Sequence, residues 1–316
     1  MNDLSLGLDT SNYTTSIALA DENGELIHDD RIVLKVKPGE RGLRQSEALY
    51  QHINNLPDLF EAIPETIDLK KRLKKIVYSS RPRPQTNSYM PVFRAGIAFG
   101  KTIGRTHSIN VMEMSHQENH IRSAMYGCNC DPQKIEYPFL ATHFSGGTSE
   151  ILLVKKKKSG YNCRIVGETL DLNAGQLVDR IGVHFGFGFP AGKALETLAN
   201  QAIKKDCVIA SCVEKMNFHF SGQENKAIQY LESGVEPAEV AFGLLRSIAK
   251  TLAKTVRYGI KYYGVKNVLF SGGVMSNQII RIMVEKELEC SGSSLYFSKP
   301  QYATDNAVGN ALLGFE

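Results

Sequence analysis

The stretch HQENH, His116 to His120, carries two imidazoles four residues apart with a carboxylate between them. On a helix, residues i and i+4 share a face, so both rings can reach one metal ion. Neutral imidazole suits Zn or Fe. Two ligands do not complete a site, and the pair reads equally well as ordinary polar side chains. The zinc-protease pattern H-E-x-x-H places its Glu directly after the first His, where it acts as general base. Gln117 holds that place here, and Asn119 precedes His120, so the inverted pattern H-x-x-E-H fails as well. The missing base argues against a metalloprotease. Ser115 and Glu118 form S-x-x-E, which starts a helix at His116 and gives Glu118 a capping role.

Other candidate groups sit at turns. Asp9 lies between apolar runs in LSLGLDTSNYTTSIALA, with Thr10, Ser11, Thr14 and Thr15 around it. A carboxylate among hydroxyls can hold Mg-bound phosphate, and an Asx-type turn explains the same residues. Ser145-Gly146-Gly147 and Ser271-Gly272-Gly273 each follow an apolar run. Glycine there lets backbone approach a phosphate or nucleotide, and a helix start favours anions. With the Asp9 turn, these two suggest a nucleotide cleft between two lobes. LDLNAGQLVDRIGVHFGFGFPAGKALETLA reads as a helix carrying Asp171 and Asp179, a Gly/Phe-rich turn and a second helix after Pro190. Asp179 suits a ribose hydroxyl and equally a helix cap.

Alternating strands and helices must position these groups, which indicates the α/β class. The opening and YPFLATHFSGGTSEILLVKKKKSGYNCRIVGET both read as strand, turn, strand, which suggests a duplicated fold. Lys155 to Lys158 read as a solvated hairpin tip, with a phosphate contact as the other reading. GLRQSEALYQHINNLPDLFEAI predicts a helix with a break near Pro57, and RPRPQTNSYMP predicts a loop. VFRAGIAFGKTIG predicts a helix with a small-residue face, and AFGLLRSIAKTLAKTVRYGIKYYG a long amphipathic one. KNVLFSGGVMSNQIIRIMVEKEL predicts strand, turn and helix, and DNAVGNALLGF a last helix.

With 316 residues, 42% of them hydrophobic, the chain can build one large or two smaller cores. A net charge of +4 permits an anionic ligand without demanding nucleic acid. No apolar run reaches the ~20 residues of a membrane span, and no signal peptide is expected. Six scattered cysteines fit reduced thiols and a cytoplasmic protein.

Read together, GLDTS, SHQENH, FSGGTS, NAGQLVDRIG, FPAGKALETLA, FSGGVMSN and ATDNAVGNA resemble the TsaD/YgjD family, in order and over nearly the whole chain. The resemblance implies a two-lobed actin/hexokinase/Hsp70-like ATPase fold. It implies transfer of a threonylcarbamoyl group from threonylcarbamoyl-AMP to N6 of adenosine 37 in tRNA. It implies one Fe or Zn ion on His116, His120 and Asp305, and an ATP- or AMP-type nucleotide, accompanied or not by Mg. His143 is added as a fourth metal ligand, because the family often has Tyr there. The nucleotide residues it implies are His143, Phe144, Ser145, Gly146, Gly147, Asp179, Gly192, Glu196 and Asn277. Asp9 is the residue implied for charge management near the acyl group. Expected partners are tRNA, small partner proteins or an active paralogue, and a second copy of the chain. The lobes are expected at 1–112 and 113–316, with a final helix over about 305–316 packing back on the first.

The chain also departs from the family pattern. The first turn, usually close to ETSCDET, reads DTSNYTT, so Asn12 and Tyr13 stand where the family places carboxylates and remove acidic groups that the resemblance implies for the transfer step. SGG[HN]T has become SGGTS, DDAAGEAFDK has become DLNAGQLVDR, and RPRPQTNSYMP replaces a GPGL-like segment. The cleft is kept and its lining altered. Two further readings follow: a non-catalytic nucleotide-binding partner of an active paralogue, and a carbamoyltransferase acting on another amine or a small molecule.

Overall fold

A computed structural model describes residues 2–11, 13–36, 43–84, 88–128 and 130–316. Asn12 and part of the RPRPQTNSYMP loop lie outside the described residues. The chain groups into two compact units. One contains Met1–Asn129, Lys156–Cys163 and Gln301–Glu316, and the other Cys130–Lys155 and Arg164–Pro300.

The first unit holds β1 (Leu4–Asp9), β2 (Thr14–Asp21), β3 (Leu26–Val33), α1 (Gln45–Glu61), α2 (Leu69–Arg72), β4 (Leu73–Arg81), α3 (Phe93–His107), β5 (Asn110–Ser115) and α4 (His116–Gly127). Its sheet runs β3-β2-β1-β4-β5. β1 pairs antiparallel with β2 and parallel with β4, and β4 pairs parallel with β5. All six residues of β1 are buried, as a central strand covered on both faces requires. Because β5 extends this sheet and α4 packs on it, the unit runs past residue 112 to Asn129.

α1 continues through Pro57 to Glu61, where a break is expected from the sequence. Leu56 and Leu59, on either side of the proline, are both buried in the core. That burial offsets the backbone hydrogen bond that Pro57 removes. The small-residue face of α3 lies against β4, where a Cβ at Gly100 would come within 2.6 Å of the Tyr78 ring.

The second unit repeats the plan with β6 (Phe139–Phe144), β7 (Ser149–Lys156), β8 (Tyr161–Glu168), α5 (Ala174–His184), α6 (Gly192–Ala199), β9 (Cys212–Glu214), β10 (Asn217–His219), α7 (Ser221–Glu232), α8 (Pro237–Tyr263), β11 (Asn267–Ser271), α9 (Gln278–Leu288) and β12 (Ser294–Phe297). The sheet order is β12-β11-β6-β7-β8. β6 pairs antiparallel with β7 and parallel with β11, which pairs parallel with β12. The duplication is thus present in strand order and direction. The short α10 (Pro300–Ala303) and α11 (Val308–Leu313) follow.

Two readings change. The β7–β8 tip, Lys156–Cys163, belongs to the first unit and is not simply solvated. Lys157 pairs with buried Glu118, and Lys156 with Glu316. Asp171 lies ahead of α5 rather than on it. It accepts from the backbone N–H groups of Phe220 and Ser221 and from the Ser221 hydroxyl at 2.6 Å, so it anchors the start of α7.

Burial alone would raise the Asp171 pKa, but these donors outweigh it and hold the carboxyl well below its usual range. A carboxylate depressed on folding stabilises above its unfolded pKa of about 4, and that stability is lost as pH falls toward the folded value. Asp171→Ala is expected to lower stability by about 1–2 kcal/mol at neutral pH. The gap to wild type should narrow below about pH 4. Denaturant titrations at several pH values test this, and a constant gap from pH 7 to 3 would refute it.

Candidate metal centre and nucleotide cavity

The metal candidates meet because three elements of the first unit converge. The capping box forms as expected: the Ser115 hydroxyl accepts from Glu118 N–H, and the Glu118 carboxylate accepts from Ser115 N–H. It starts α4 at His116, which sets His116 and His120 on one face. α11 lies directly on α4 and β1. Gly309 permits that approach, since a Cβ there would sit 1.9 Å from the Asn119 carbonyl oxygen. The Asn310 side-chain amide donates to the Leu8 carbonyl oxygen and Ser79 Oγ, and its backbone N–H donates to Asn119 Oδ1, which fixes the register of α11 on α4. The loop ahead of α11 then delivers Asp305.

The ligand atoms of His116, His120 and Asp305 all lie within 4.8 Å of one another. His120 Nε2 stands 2.9 Å from His116 Nε2 and 3.2 Å from Asp305 Oδ1, and His116 Nε2 is 3.5 Å from the same oxygen. Four ligands about 2.05 Å from a tetrahedral Zn are separated by about 3.3 Å. The donor types and spacings therefore fit one metal ion, with the three protein ligands leaving a position open.

Asp9 stands behind His116. Its Oδ2 is 2.9 Å from His116 Nδ1, and also accepts from Ser79 Oγ at 2.5 Å and Asn119 Nδ2 at 3.0 Å. Oδ1 accepts from the Ser11 N–H and hydroxyl. Asp9 is 1% exposed. A carboxylate on Nδ1–H turns Nε2 outward as the ligand nitrogen. Burial opposes charge on His116, but Asp9 and Asp305 prevail and push its pKa up to about 10. Burial would raise both acids, yet the imidazole lowers each. A field that favours a proton on His116 also favours a metal cation in its place.

The second unit contains a cavity of about 450 Å³. Of the residues expected to hold nucleotide, it collects Gly146, Asp179, Gly192, Glu196 and Asn277. It also takes in Gly273 of the second glycine turn, and it adds residues that the motifs did not single out, among them Gly175, Val178, Lys193 and Ile280. A Cβ on Gly175 would fall 2.5 Å from Gly146 N, so only glycine lets α5 approach this turn. Asp179 accepts from Ala191 N–H at 2.8 Å, Glu196 from Gln278 N–H at 2.6 Å, and Asn277 from Ile280 N–H at 3.0 Å. The same side chains thus shape the wall by holding α6 and α9. The second helix starts at Gln278, after a 3-10 turn over Gly273–Ser276.

The other expected residues stand differently. Phe144 is fully buried and packs on Phe218 and Phe220 in the core. Ser145 closes its turn on Thr148. Gly147 follows in that turn without lining the cavity. His143 lies at the end of β6, opposite Glu150. Around the metal candidates, Ser11 is among the hydroxyls expected beside Asp9, whereas Ser79, Asn119 and Asn310 were not foreseen. Asn119 was within reach, lying inside HQENH itself. Ser79 and Asn310 come from distant segments with no local signal.

Gly146 and Gly273 face open space where a Cβ would stand, and neither has a positive φ that would strain a side chain. A Gly146→Val change is therefore expected to leave the fold intact while filling the cavity. AMP affinity should fall at least about tenfold, as a lost contact of ~1.4 kcal/mol implies. Calorimetry with AMP checks this, and equal affinity in both proteins would sink it.

The family model described as TsaD, tRNA N6-adenosine threonylcarbamoyltransferase, matches residues 32–312. A tRNA N6-adenosine threonylcarbamoyltransferase of Buchnera aphidicola subsp. Cinara cedri is 30% identical, covering 98% of this chain and 91% of the relative. One of Archaeoglobus fulgidus is 25% identical, covering 98% and 90%. Among solved structures, T. kodakarensis HypF aligns with a TM-score of 0.63 at 16% identity, over 99% of this chain and 47% of HypF. Component A of the Acidaminococcus fermentans (R)-2-hydroxyglutaryl-CoA dehydratase aligns with 0.57 at 14% identity, over 99% and 98%. These likenesses bear on the fold alone, which is of the actin/hexokinase/Hsp70-like type. With a family model spanning most of its length and a relative at 30% identity, the chain belongs to the TsaD family of tRNA N6-adenosine threonylcarbamoyltransferases.

Proposed function

We propose that this chain is a metal- and adenine-nucleotide-binding transferase that moves a threonylcarbamoyl group to N6 of adenosine 37 in tRNA. The observation that carries the reading is the convergence of His116, His120 and Asp305 in front of buried Asp9. His116, His120 and Asp305 hold one Fe or Zn ion, which supplies Lewis acidity toward carbamate or phosphate oxygens when bound. Asp9 holds His116 in the tautomer that presents Nε2. Asn119 fixes Asp9 and, through Asn310, the approach of α11.

The cavity of the second unit takes the adenosine end of the adenylate, with Asp179 and Glu196 toward ribose hydroxyls and Asn277 near the base. In the transfer itself, the N6 amine forms a bond to the carbamoyl carbon, the bond to phosphate oxygen breaks, AMP leaves, and the amine gives up a proton. His143 as a further ligand is part of this proposal.

A non-catalytic partner of an active paralogue is the second reading. It is favoured by the first turn, where the one described carboxylate, Asp9, is buried and fully bonded. Incubation with threonylcarbamoyl-AMP and unmodified tRNA, followed by nucleoside analysis, separates the two. The assay is run with the chain alone and with the family's partner proteins added. Modified adenosine that disappears in His120→Ala supports the first reading. Tight nucleotide binding without any modification in either mixture supports the second.

A further inference from the structure

The long helix α8 carries a surface that neither the metal cluster nor the cavity uses. Every exposed position from Lys250 to Tyr262 is basic or tyrosine: Lys250, Lys254, Arg257, Tyr258, Lys261 and Tyr262. No acidic residue follows Glu239 on this helix. At about 100° per residue, Arg246, Lys250, Lys254, Arg257 and Lys261 fall within an arc of about 80°, spread over about 22 Å of helix. Tyr258 and Tyr262 flank that arc and stack on each other, with ring centroids 5.9 Å apart. Tyr262 is 68% exposed.

A charge run on a helix is usually a solvated face stabilised by opposite charges at i+4. That pattern fails here, because the i+4 neighbours are further cations, or Tyr258 after Lys254, and none is acidic. Among the described residues the stripe has one acidic partner, Glu287 beside Arg257. Arg246 donates to the Lys205 and Cys207 carbonyl oxygens, and Lys254 to the Ser211 hydroxyl, which hold those side chains extended along the surface. The apolar face of α8 is already buried in the core of the second unit, so it does not require a membrane or protein to cover it. What remains is a row of cations with a stacking platform at one side. A polyanion with exposed rings complements it, and the TsaD family acts on tRNA.

We infer that the α8 stripe is a docking surface for the tRNA backbone, its lysines on phosphates and the Tyr258–Tyr262 pair against an unpaired base or ribose. This rests on the tRNA reading given under Proposed function. α8 packs against α6 and α9, the helices that also wall the cavity, so the tRNA would be held on the unit that binds the adenylate.

The test is fluorescence anisotropy of labelled, unmodified tRNA with the full chain, titrated at several salt concentrations. Lys250→Gln, Lys254→Gln and Lys261→Gln together leave exposed positions polar. They should weaken binding at least about tenfold near 0.1 M salt and flatten the log–log salt slope by about 2 to 3. Tyr262→Ala should weaken it with little change of slope. AMP binding should be unchanged in both, which separates loss of docking from loss of fold. If the triple variant keeps the wild-type affinity and slope while the wild-type chain modifies tRNA, the surface is wrong and the transferase reading stands. If the wild-type chain neither binds nor modifies tRNA, both fall. Stripe-dependent binding to phosphatidylserine vesicles, with tRNA affinity unaffected, would overturn the RNA assignment in favour of a membrane.

Discussion

Changing Asp9 to asparagine is expected to lower metal affinity by about 10–100-fold, although Asp9 itself is not among the ligands. The reason is a count of donors. Ser11 N–H, the Ser11 and Ser79 hydroxyls, Asn119 Nδ2–H and His116 Nδ1–H all point at the two oxygens of Asp9. Asparagine keeps the shape, offers one oxygen and brings two donors of its own, so at least one buried N–H or O–H is left facing another. An unsatisfied buried group costs about 1–3 kcal/mol, so the melting temperature should fall as well. With Nδ1 no longer held, His116 loses the tautomer and ring orientation that present Nε2 to the cluster. His116→Ala should go further and lose the metal outright. Elemental analysis after dialysis, read beside thermal melts, checks both variants. Wild-type metal content and affinity in Asp9→Asn would show that the carboxylate does not tune His116.

The legible parts of this protein were those with local causes. The Ser115–Glu118 capping box, the i, i+4 spacing of the histidines and the repeated strand–turn–strand plan each depend on residues a few positions apart. The separate motifs that contain Gly146, Asp179, Gly192, Glu196 and Asn277 are also locally readable, but their meeting at one cavity depends on the fold. What the sequence hid depends on distant pairing. Asp9 reads as a turn residue beside a substrate. Its burial follows from β1 being the central strand, with Ser79 on β4, Asn119 on α4 and Asn310 on α11 closing over it. The helix break near Pro57 failed for the same kind of reason, since Leu56 and Leu59 are held by core contacts that no propensity scale sees. Lys156 and Lys157 read as a solvated tip because Glu118 and Glu316 lie 39 and 160 residues away.

Burial of Asp9 also sets the rate expected of the transfer step. An attacking amine must lose its proton, and a positioned base contributes about 10²–10⁴-fold. Asp9 cannot serve. It is 1% exposed, its oxygens are taken by donors, and His116 holds its carboxyl below the usual range despite burial. Asp305 belongs to the candidate metal cluster. The family turn ETSCDET supplies two more acids, and read position for position they fall on Tyr13 and Thr14, one residue later than Asn12 and Tyr13. Thr14 is buried at the start of β2, and Asn12 lies outside the described residues. Tyr13 is 44% exposed, and its carbonyl oxygen accepts from Leu34 N–H, so the side chain can change without disturbing the strand. A phenol and an aliphatic hydroxyl are both poorer bases near neutral pH than a carboxylate, so Tyr13 and Thr14 do not replace the two acids. The wild-type chain is therefore expected to bind metal and nucleotide normally and to modify tRNA at least about tenfold more slowly than its Buchnera relative, assayed side by side. Tyr13→Asp should recover part of that deficit, with metal content and AMP affinity unchanged. Single-turnover nucleoside analysis gives the rates. Equal rates for the wild-type chain and the relative would mean that the proton leaves by another route and that the altered turn is not what limits this protein.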